Sequence, residues 1–429
     1  MKSLLLLATT TIVLNLLVRT GQAQDPDFDD FEITIEEKTD YNWSTPAGKY
    51  LDAVSFFSLH GYVNAVYAGP SEDWTAPDPT QVGKPGQLMV PNTNKSSFLY
   101  DFALIFSSEM NERTRIAIET HYVSDPSGQG AAGPGGITIA VTEATGSYDL
   151  IPQYLTVSGG IFWSPFGTVN KDWLGAQNAF SFIPRASGAY PIHYNERGIR
   201  VNGAFNLGSN AAINYVASIG NGVGKWDLSG QYSVDNNDGK TFTSRVGIFP
   251  GLKKDLELGL SWTSGSMRSS GDLNMNIDDP LRYEAGMRAF GIDYRYSKNN
   301  FTLRGYSIFS TEDLSDDDSG NSPSDINRKG SMVEVLYQFP LETKVLKGIQ
   351  PRLRFDRIKL DQLMMETPAQ PSAASDLGVR FLSTNVVSYG VDFIATKNIR
   401  FAFDYSAVNE EGQSELDNNR FVGKLIAQF

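Results

Sequence analysis

The sequence predicts an all-β fold, a transmembrane antiparallel β-barrel of about 16 strands. Three observations carry that expectation: period-two alternation from residue 53 onward, aromatic residues gathered at segment ends, and a last segment that alternates up to Phe429. Ile399, Phe401, Phe403 and Tyr405 alternate with Arg400, Ala402 and Asp404; Phe290, Ile292, Tyr294 and Tyr296 alternate with Gly291, Asp293 and Arg295. Successive side chains of a strand point to opposite faces, so each segment has one apolar and one polar wall. A soluble sandwich or solenoid would turn the apolar wall to a core, whereas a membrane barrel turns it to lipid. The 19 Tyr and 25 Phe favour the barrel, because aromatic girdles mark the two membrane interfaces.

Gly, Pro, Asn and Asp clusters divide the chain into candidate strands at 53–68, 97–108, 113–123, 137–145, 151–163, 195–207, 211–220, 241–249, 255–264, 283–297, 300–311, 330–339, 349–362, 384–395, 398–409 and 419–429. The segment around Trp226 could add another strand. Short turns on one side must alternate with long connections on the other, and counts from the two ends agree only if 221–240 is a single external loop. The count is then 16, with 18 as the alternative. Both termini fall on the periplasmic side. In the last segment Phe421, Leu425, Ala427 and Phe429 share one face, a pattern similar to the signal that the barrel assembly machinery reads on its substrates.

Lys2, the apolar run from Leu4 to Leu17 and Gly21-Gln22-Ala23 have the order of a secretory signal peptide, with cleavage expected after Ala23. Residues 24–52 then form an acidic periplasmic segment, and 53–429 the barrel. No later run reaches the roughly 18 apolar residues of a helical span, while a tilted strand needs only about 9–11 residues, half of them apolar. A negative mean hydropathy is therefore compatible with a membrane protein. Cys is absent, which excludes disulfides, thiolate catalysis and cysteine-ligated metals.

The formal charge of −13 is localised. Residues 25–52 hold nine acids against Lys38 and Lys49, and Glu312 to Asp325 hold six acids and no base. Such runs read as solvated surface; a divalent-cation site in Asp316-Asp317-Asp318 is the other reading.

The connection 164–194 is the third external one and the longest with an ordered composition. Pro165, Phe166, Gly167, Lys171, Trp173, Phe180, Phe182, Pro184, Arg185 and Tyr190 make it too bulky and apolar to remain in solvent. Long connections are usually functional or disordered. This one is expected to fold inward and set a constriction.

Inward positions on the clearest strands include Arg115, Glu119, His121, Arg200, Asn202, Asp293, Arg295, Arg352, Arg354, Asp356, Arg400 and Asp404. They are the candidate pore lining. Six arginines against four carboxylates suggest a transverse field with a modest anion bias, since a low-dielectric wall focuses field across a narrow water column. The alternative is that these charges pair across neighbouring strands, Arg352, Arg354 and Arg400 with Asp356, Asp404 and Glu334, and merely keep the lumen wet. An enzyme is not expected: only His60, His121 and His193 are present, without Gly-x-Ser-x-Gly, His-Glu-x-x-His or a phosphate-cradling glycine loop. No cofactor or nucleic acid is implied.

The stretch from about 97 to 222 resembles porins related to the phosphate-selective porins O and P of Gram-negative bacteria. The matching pieces are residues 109–119 (EMNERTRIAIE), residues 159–170 (GGIFWSPFGTVN) with Pro-Phe-Gly at 165–167, and Ile183-Pro184 followed by residues 195–203 (NERGIRVNG) with Glu196-x-Gly198. The resemblance implies 16 strands, a homotrimer, an inward third loop and passive passage of small hydrophilic solutes or anions across the outer membrane. The third connection departs from the cation-lined pattern of that group, offering only Lys171 and Arg185 beside Asp172. The expected preference for anions or phosphate is accordingly weak. The competing function is an occluded barrel serving as an adhesin or partner-binding platform.

Overall fold

The computed structural model describes residues 57–68, 97–124, 137–168, 179–180, 184–190, 195–208, 211–222, 225–226, 232–234, 239–250, 255–268, 284–314, 326–341, 343–361, 381–412 and 419–428. The leader, the acidic segment, His193, Asp316 to Asp318 and Phe429 lie outside the described residues. Sixteen long strands form the barrel. The first eight are β1 (Phe57–Ala68), β2 (Ser97–Asn111), β3 (Thr114–Ser124), β4 (Ile137–Ile151), β5 (Leu155–Trp163), β6 (Asn195–Leu207), β7 (Ala211–Gly220) and β8 (Thr241–Phe249). The second eight are β9 (Leu256–Arg268), β10 (Glu284–Lys298), β11 (Phe301–Leu314), β12 (Ile326–Tyr337), β13 (Gly348–Asp361), β14 (Phe381–Ile394), β15 (Ile399–Gly412) and β16 (Arg420–Gln428).

Every strand pairs antiparallel with its neighbours in sequence, and β1 closes the ring on β16 with Tyr62 opposite Gln428 and Ala68 opposite Val422. Closure leaves no unpaired strand edge, so a chain without disulfides still satisfies its backbone. A two-residue piece, Phe339–Pro340, extends β12 along the foot of β13 and adds no staves. Lys225–Trp226 pairs with Tyr232–Val234 in a hairpin of its own, separate from the barrel sheet. The parity count therefore holds at sixteen.

The turns at one end are short for local reasons. The Asn111 side chain accepts from the backbone N–H groups of Arg113 and Thr114 at 2.9 and 3.0 Å. Asn299 takes a left-handed φ of 54° in the turn between β10 and β11, a conformation Asn tolerates. The starts of β1 and the end of β16 share this end.

Several strand ends differ from expectation by up to four residues, and one differs by more. The strand read as 137–145 continues to Ile151, because Thr142 is an extra residue: Glu119 faces Glu143 while Thr120 faces Val141. A bulge of this kind shifts the alternation by one, so the outer face passes from Ile139 and Val141 to Ala144, Gly146 and Tyr148. The period-two reading breaks at that point.

The outer wall is apolar. Ile118, Ile199, Ile219, Leu258, Leu260, Trp262, Phe290, Ile292, Leu353, Phe355, Phe401, Phe403 and Phe421 are all exposed. Water would be a poor solvent for a surface this continuous, and hydrocarbon suits it. No described helix is long and apolar enough to cross a membrane; the strands make the wall.

Candidate functional site

The register carries one inward parity around the whole ring. Arg115, Glu119, His121, Arg200, Asn202, Asp293, Arg295, Arg352, Arg354, Asp356, Arg400 and Asp404 all stand on the face opposite the exposed apolar side chains. Most of the charges on that face are held in pairs. Arg115 Nη2 donates to Asp149 at 2.6 Å, and Asp149 also accepts from Thr156 at 2.6 Å. Glu119 bonds His121 and accepts from Thr142 at 2.9 Å. Arg200 reaches Glu143 at 3.3 Å and lies 4.9 Å over the ring of Phe162.

A longer chain of ion pairs runs along β8 to β15. Arg245 holds Asp293 through two nitrogens, at 3.0 and 2.6 Å, and Glu257 at 2.8 Å. Glu334, fully buried, lies between Arg304 at 2.6 Å and Arg354 at 2.7 Å. Arg352 contacts Asp404 at 2.6 Å and Asp392 at 3.0 Å, and Arg400 reaches Asp392 at 3.4 Å. Arg295 is half-buried, with Nε 3.5 Å from Ser297.

Arg245, Glu257, Arg304, Asp392, Glu143 and Asp149 escaped the sequence reading. Their signal was available, since Phe242, Val246 and Ile248 on the outer face put Arg245 inward by parity.

On one side the inner wall ceases to be polar. Met287, Ala289, Tyr306, Ile308 and Met332 of β10 to β12 are buried against Phe166, Ala186, Ala189 and Tyr190 of the third connection. Gly330 and Gly291 belong to the same seat: a Cβ on Gly330 would collide with the Ala186 carbonyl, and one on Gly291 would press on the Phe166 ring. Small and apolar residues on a lumen-facing surface thus accommodate a chain segment at close range.

That segment is fixed at several points. Phe166 stacks on Tyr190 with centroids 4.0 Å apart, and the Tyr190 hydroxyl is 2.8 Å from Ser164. Burial pushes the Tyr190 phenol up to about 12, so it stays a neutral hydrogen-bonding group. Gly167, at φ 59°, donates its N–H to Ser261 of β9 at 2.9 Å. After Pro184 a single 3-10 turn, Arg185–Ala189, presents the Ala186 N–H to Asp356 of β13 at 3.2 Å, and Ser310 of β11 donates to the Ala189 carbonyl. Asp356 is thus bound to this turn rather than to Arg352 or Arg400. Phe180 lies 4.4 Å from the Arg354 guanidinium carbon and 4.9 Å from that of Arg352. Pro165 and Arg185 are half-buried here; Lys171 and Trp173 lie outside the described residues.

The Glu196-x-Gly198 motif also has a geometric cause. Glu196 is buried and accepts from the N–H groups of Arg197 at 2.9 Å and Gly222 at 3.3 Å. Its side chain occupies the space that a Cβ on Gly220 would need, and a Cβ on Gly198 would strike the Ile219 carbonyl. The motif ties the top of β6 to the end of β7 beside the returning connection.

No family profile and no curated protein matches the chain. Solved structures of similar fold are found. The outer membrane channel DcaP of Acinetobacter baumannii superposes with a TM-score of 0.54 at 11% identity, over 87% of this chain and 97% of that one. OprB of Pseudomonas putida gives 0.53 at 13% identity, over 90% and 96%. An anion-selective porin from Comamonas acidovorans gives 0.52 at 11% identity, over 87% and 99%. The fold of this chain is that of 16-stranded outer-membrane porins.

Proposed function

We propose that the chain is an outer-membrane porin through which small hydrophilic solutes and ions diffuse passively. The observation that carries this reading is a closed ring of sixteen strands with an apolar outside and a charged inside. Barrel diameter grows with strand number, and a ring of this size leaves a lumen wider than its own side chains fill. The third connection, docked on β9 to β13, is the element that narrows this lumen, anchored on the wall by the buried Phe166 and Phe180, with Pro165, Gly167 and Arg185 half-buried. Arg115, Arg200, Arg295 and Arg400, partly exposed, line the water column beside it, with Glu119, Asp293, Arg352 and Arg354 buried behind them.

A weak preference for anions fits the arginines of β11 to β15, and the pairing of most of them with carboxylates keeps it weak. The likeness to the phosphate-selective O and P group extends the proposal to a homotrimer, to residues 1–23 as signal peptide and to recognition of the last strand by the assembly machinery. Planar-bilayer recording tests the core of it. Stable conductance steps, with a reversal potential measured in salts of unequal ion mobility, support a porin; silence at saturating protein favours an occluded platform.

A further inference from the structure

Connections at the short-turn end are mostly a few residues long, as a membrane barrel has them on one side. The one between β12 and β13, residues 338–347, is the longest, and it is built as a shelf. The Leu341 N–H donates to the Lys347 carbonyl at 2.8 Å. Thr343 Oγ1 accepts from the Leu346 N–H at 2.9 Å, and Lys347 Nζ donates to the Thr343 carbonyl at 3.3 Å. The neighbouring turns are tied to this shelf. The Gln338 N–H donates to the Asn300 carbonyl in the β10–β11 turn at 2.8 Å, and the Lys347 N–H to the Ile394 carbonyl at the end of β14 at 2.7 Å. Two hydrogen bonds then join Asn398 of the β14–β15 turn to Gln428 of β16, which stands opposite Tyr62 of β1. A continuous arc thus runs from β10 to the strand at which the chain enters the barrel.

The arc is basic. Lys298, Lys344, Lys347 and Lys397 are all exposed. Lys298 meets Asp255 at 4.0 Å, and the other three form no ion pair among the described residues; Glu342 lies outside those residues. On the far side of β1 the sign is reversed, since the end of β2 and its turn expose Glu109 and Glu112 against Arg113. Val345 crowns the shelf, 75% exposed, more than any other large apolar residue described. Residues 25–52 have the complementary chemistry. They lead into β1 at this end, carry nine acids against Lys38 and Lys49, and interleave those acids with Phe28, Phe31, Ile33 and Ile35. Charges act over about 8–10 Å at ordinary ionic strength, so an acidic segment entering between an acidic turn and a basic arc is drawn to the arc. Its length suffices. Along the ring from β1 to β10 the arc measures roughly 45 Å at a strand spacing of about 4.8 Å and a tilt near 40°, while this segment fully extended reaches about 90 Å.

We propose that residues 25–52 dock along this arc, their carboxylates on Lys298, Lys344, Lys347 and Lys397 and an apolar residue against Val345. The docking uses the closed barrel alone and stands whether or not the lumen conducts. Phospholipid headgroups are a poorer occupant, because a bare anionic surface offers Val345 nothing at the level of the charges.

Because the chain lacks cysteine, paired nitroxide labels can test this in the full chain folded in neutral detergent. One label goes at Lys38→Cys, which keeps all nine acids, and the other at Asn300→Cys on the arc or at Glu112→Cys beyond β1. Pulsed spin–spin distances should be short and narrowly distributed for the first pair and longer for the second. Lys344→Gln/Lys347→Gln/Lys397→Gln should cut the short-distance population at least about threefold, exposed ion pairs being individually weak. Salt at 1 M should do the same, since the Debye length falls to about 3 Å. A broad distribution that neither change affects overturns the docking, as does a label lying nearer Glu112→Cys. A short distance that survives the triple variant overturns it too, and leaves the lysines to lipid headgroups. One that vanishes on dilution with unlabelled chains also overturns it, and assigns the arc to a second copy. Deleting residues 25–50 should leave single-channel conductance unchanged; a rise would put the segment in the lumen and overturn the docking, whereas a full chain that never conducts counts against the porin reading alone. Should the triple variant not assemble, the salt series on the unsubstituted lysines decides.

Discussion

The guanidinium carbon of Arg354 lies 4.4 Å from the ring centroid of Phe180, which seats a residue of the β5–β6 connection on β13, eight strands further along the ring. A segment that merely covered its own strands could not reach that far. Removing the ring leaves the backbone anchors at Gly167, Ala186 and Ala189 but deletes a desolvated cation–π contact worth about 2 kcal/mol. Phe180→Ala is therefore expected to raise the undocked population of the segment more than tenfold, giving larger and noisier single-channel currents with an unaltered barrel. Currents identical to wild type would show that this segment does not limit the path.

The staves were legible because lipid and water impose opposite demands on the two faces, and period two records both. What the alternation could not show is which inward residues touch one another. Arg352 and Asp404 lie two strands apart, and only the register brings them to 2.6 Å. Nor could it show that Met287, Ala289, Ile308 and Met332 face the lumen for a purpose: apolar residues on the polar face look like noise until Phe166 and Tyr190 are laid on them. Phe166 itself was picked out by its bulk, yet its partner surface lay in strands more than a hundred residues away.

The seat can be tested from the wall side. Gly330→Val puts side-chain atoms where the Ala186 carbonyl now sits, while valine suits a strand. The barrel should still form and keep its heat-modifiable migration, but the Arg185–Ala189 turn should be displaced and the conductance raised. Gly146→Val is the control, since a Cβ there meets nothing within 4 Å and its effect should stay within about 0.5 kcal/mol. Equal conductance in the two variants would mean that the turn does not occupy the flow path.

Arg245 tests how far the inner ion pairs hold the wall together. It binds Asp293 and Glu257 at once and is nearly buried, so Arg245→Gln leaves two carboxylates facing each other without their cation. Breaking a buried pair costs about 3–5 kcal/mol, to be read from urea unfolding in lipid vesicles. Adding Asp293→Asn should recover part of that loss, because the repulsion goes with the charge. If the double variant is no more stable than the single one, solvent in the lumen screens the pair well enough for it to contribute little.

The proposed preference for anions is tested at the arginines of β13 and β15. Arg352, Arg354 and Arg400 are bonded to Asp392, Asp404 and Glu334, so replacing all three by Gln deletes three positive charges and releases three buried carboxylates together. Two effects should follow. The reversal potential should move toward cation preference, more at low salt than at 1 M, because the Debye length falls from about 10 Å at 0.1 M to about 3 Å. Stability should fall as well, by an amount comparable to the Arg245 variant for each pair broken. A companion variant carrying Asp392→Asn, Asp404→Asn and Glu334→Gln in addition restores the charge balance and separates the two effects: it should return the reversal potential toward wild type, with stability regained as the buried charges disappear. If the arginine variant destabilises the barrel while its reversal potential stays at the wild-type value at both salt levels, these ion pairs are structural, and discrimination falls to the rest of the third connection.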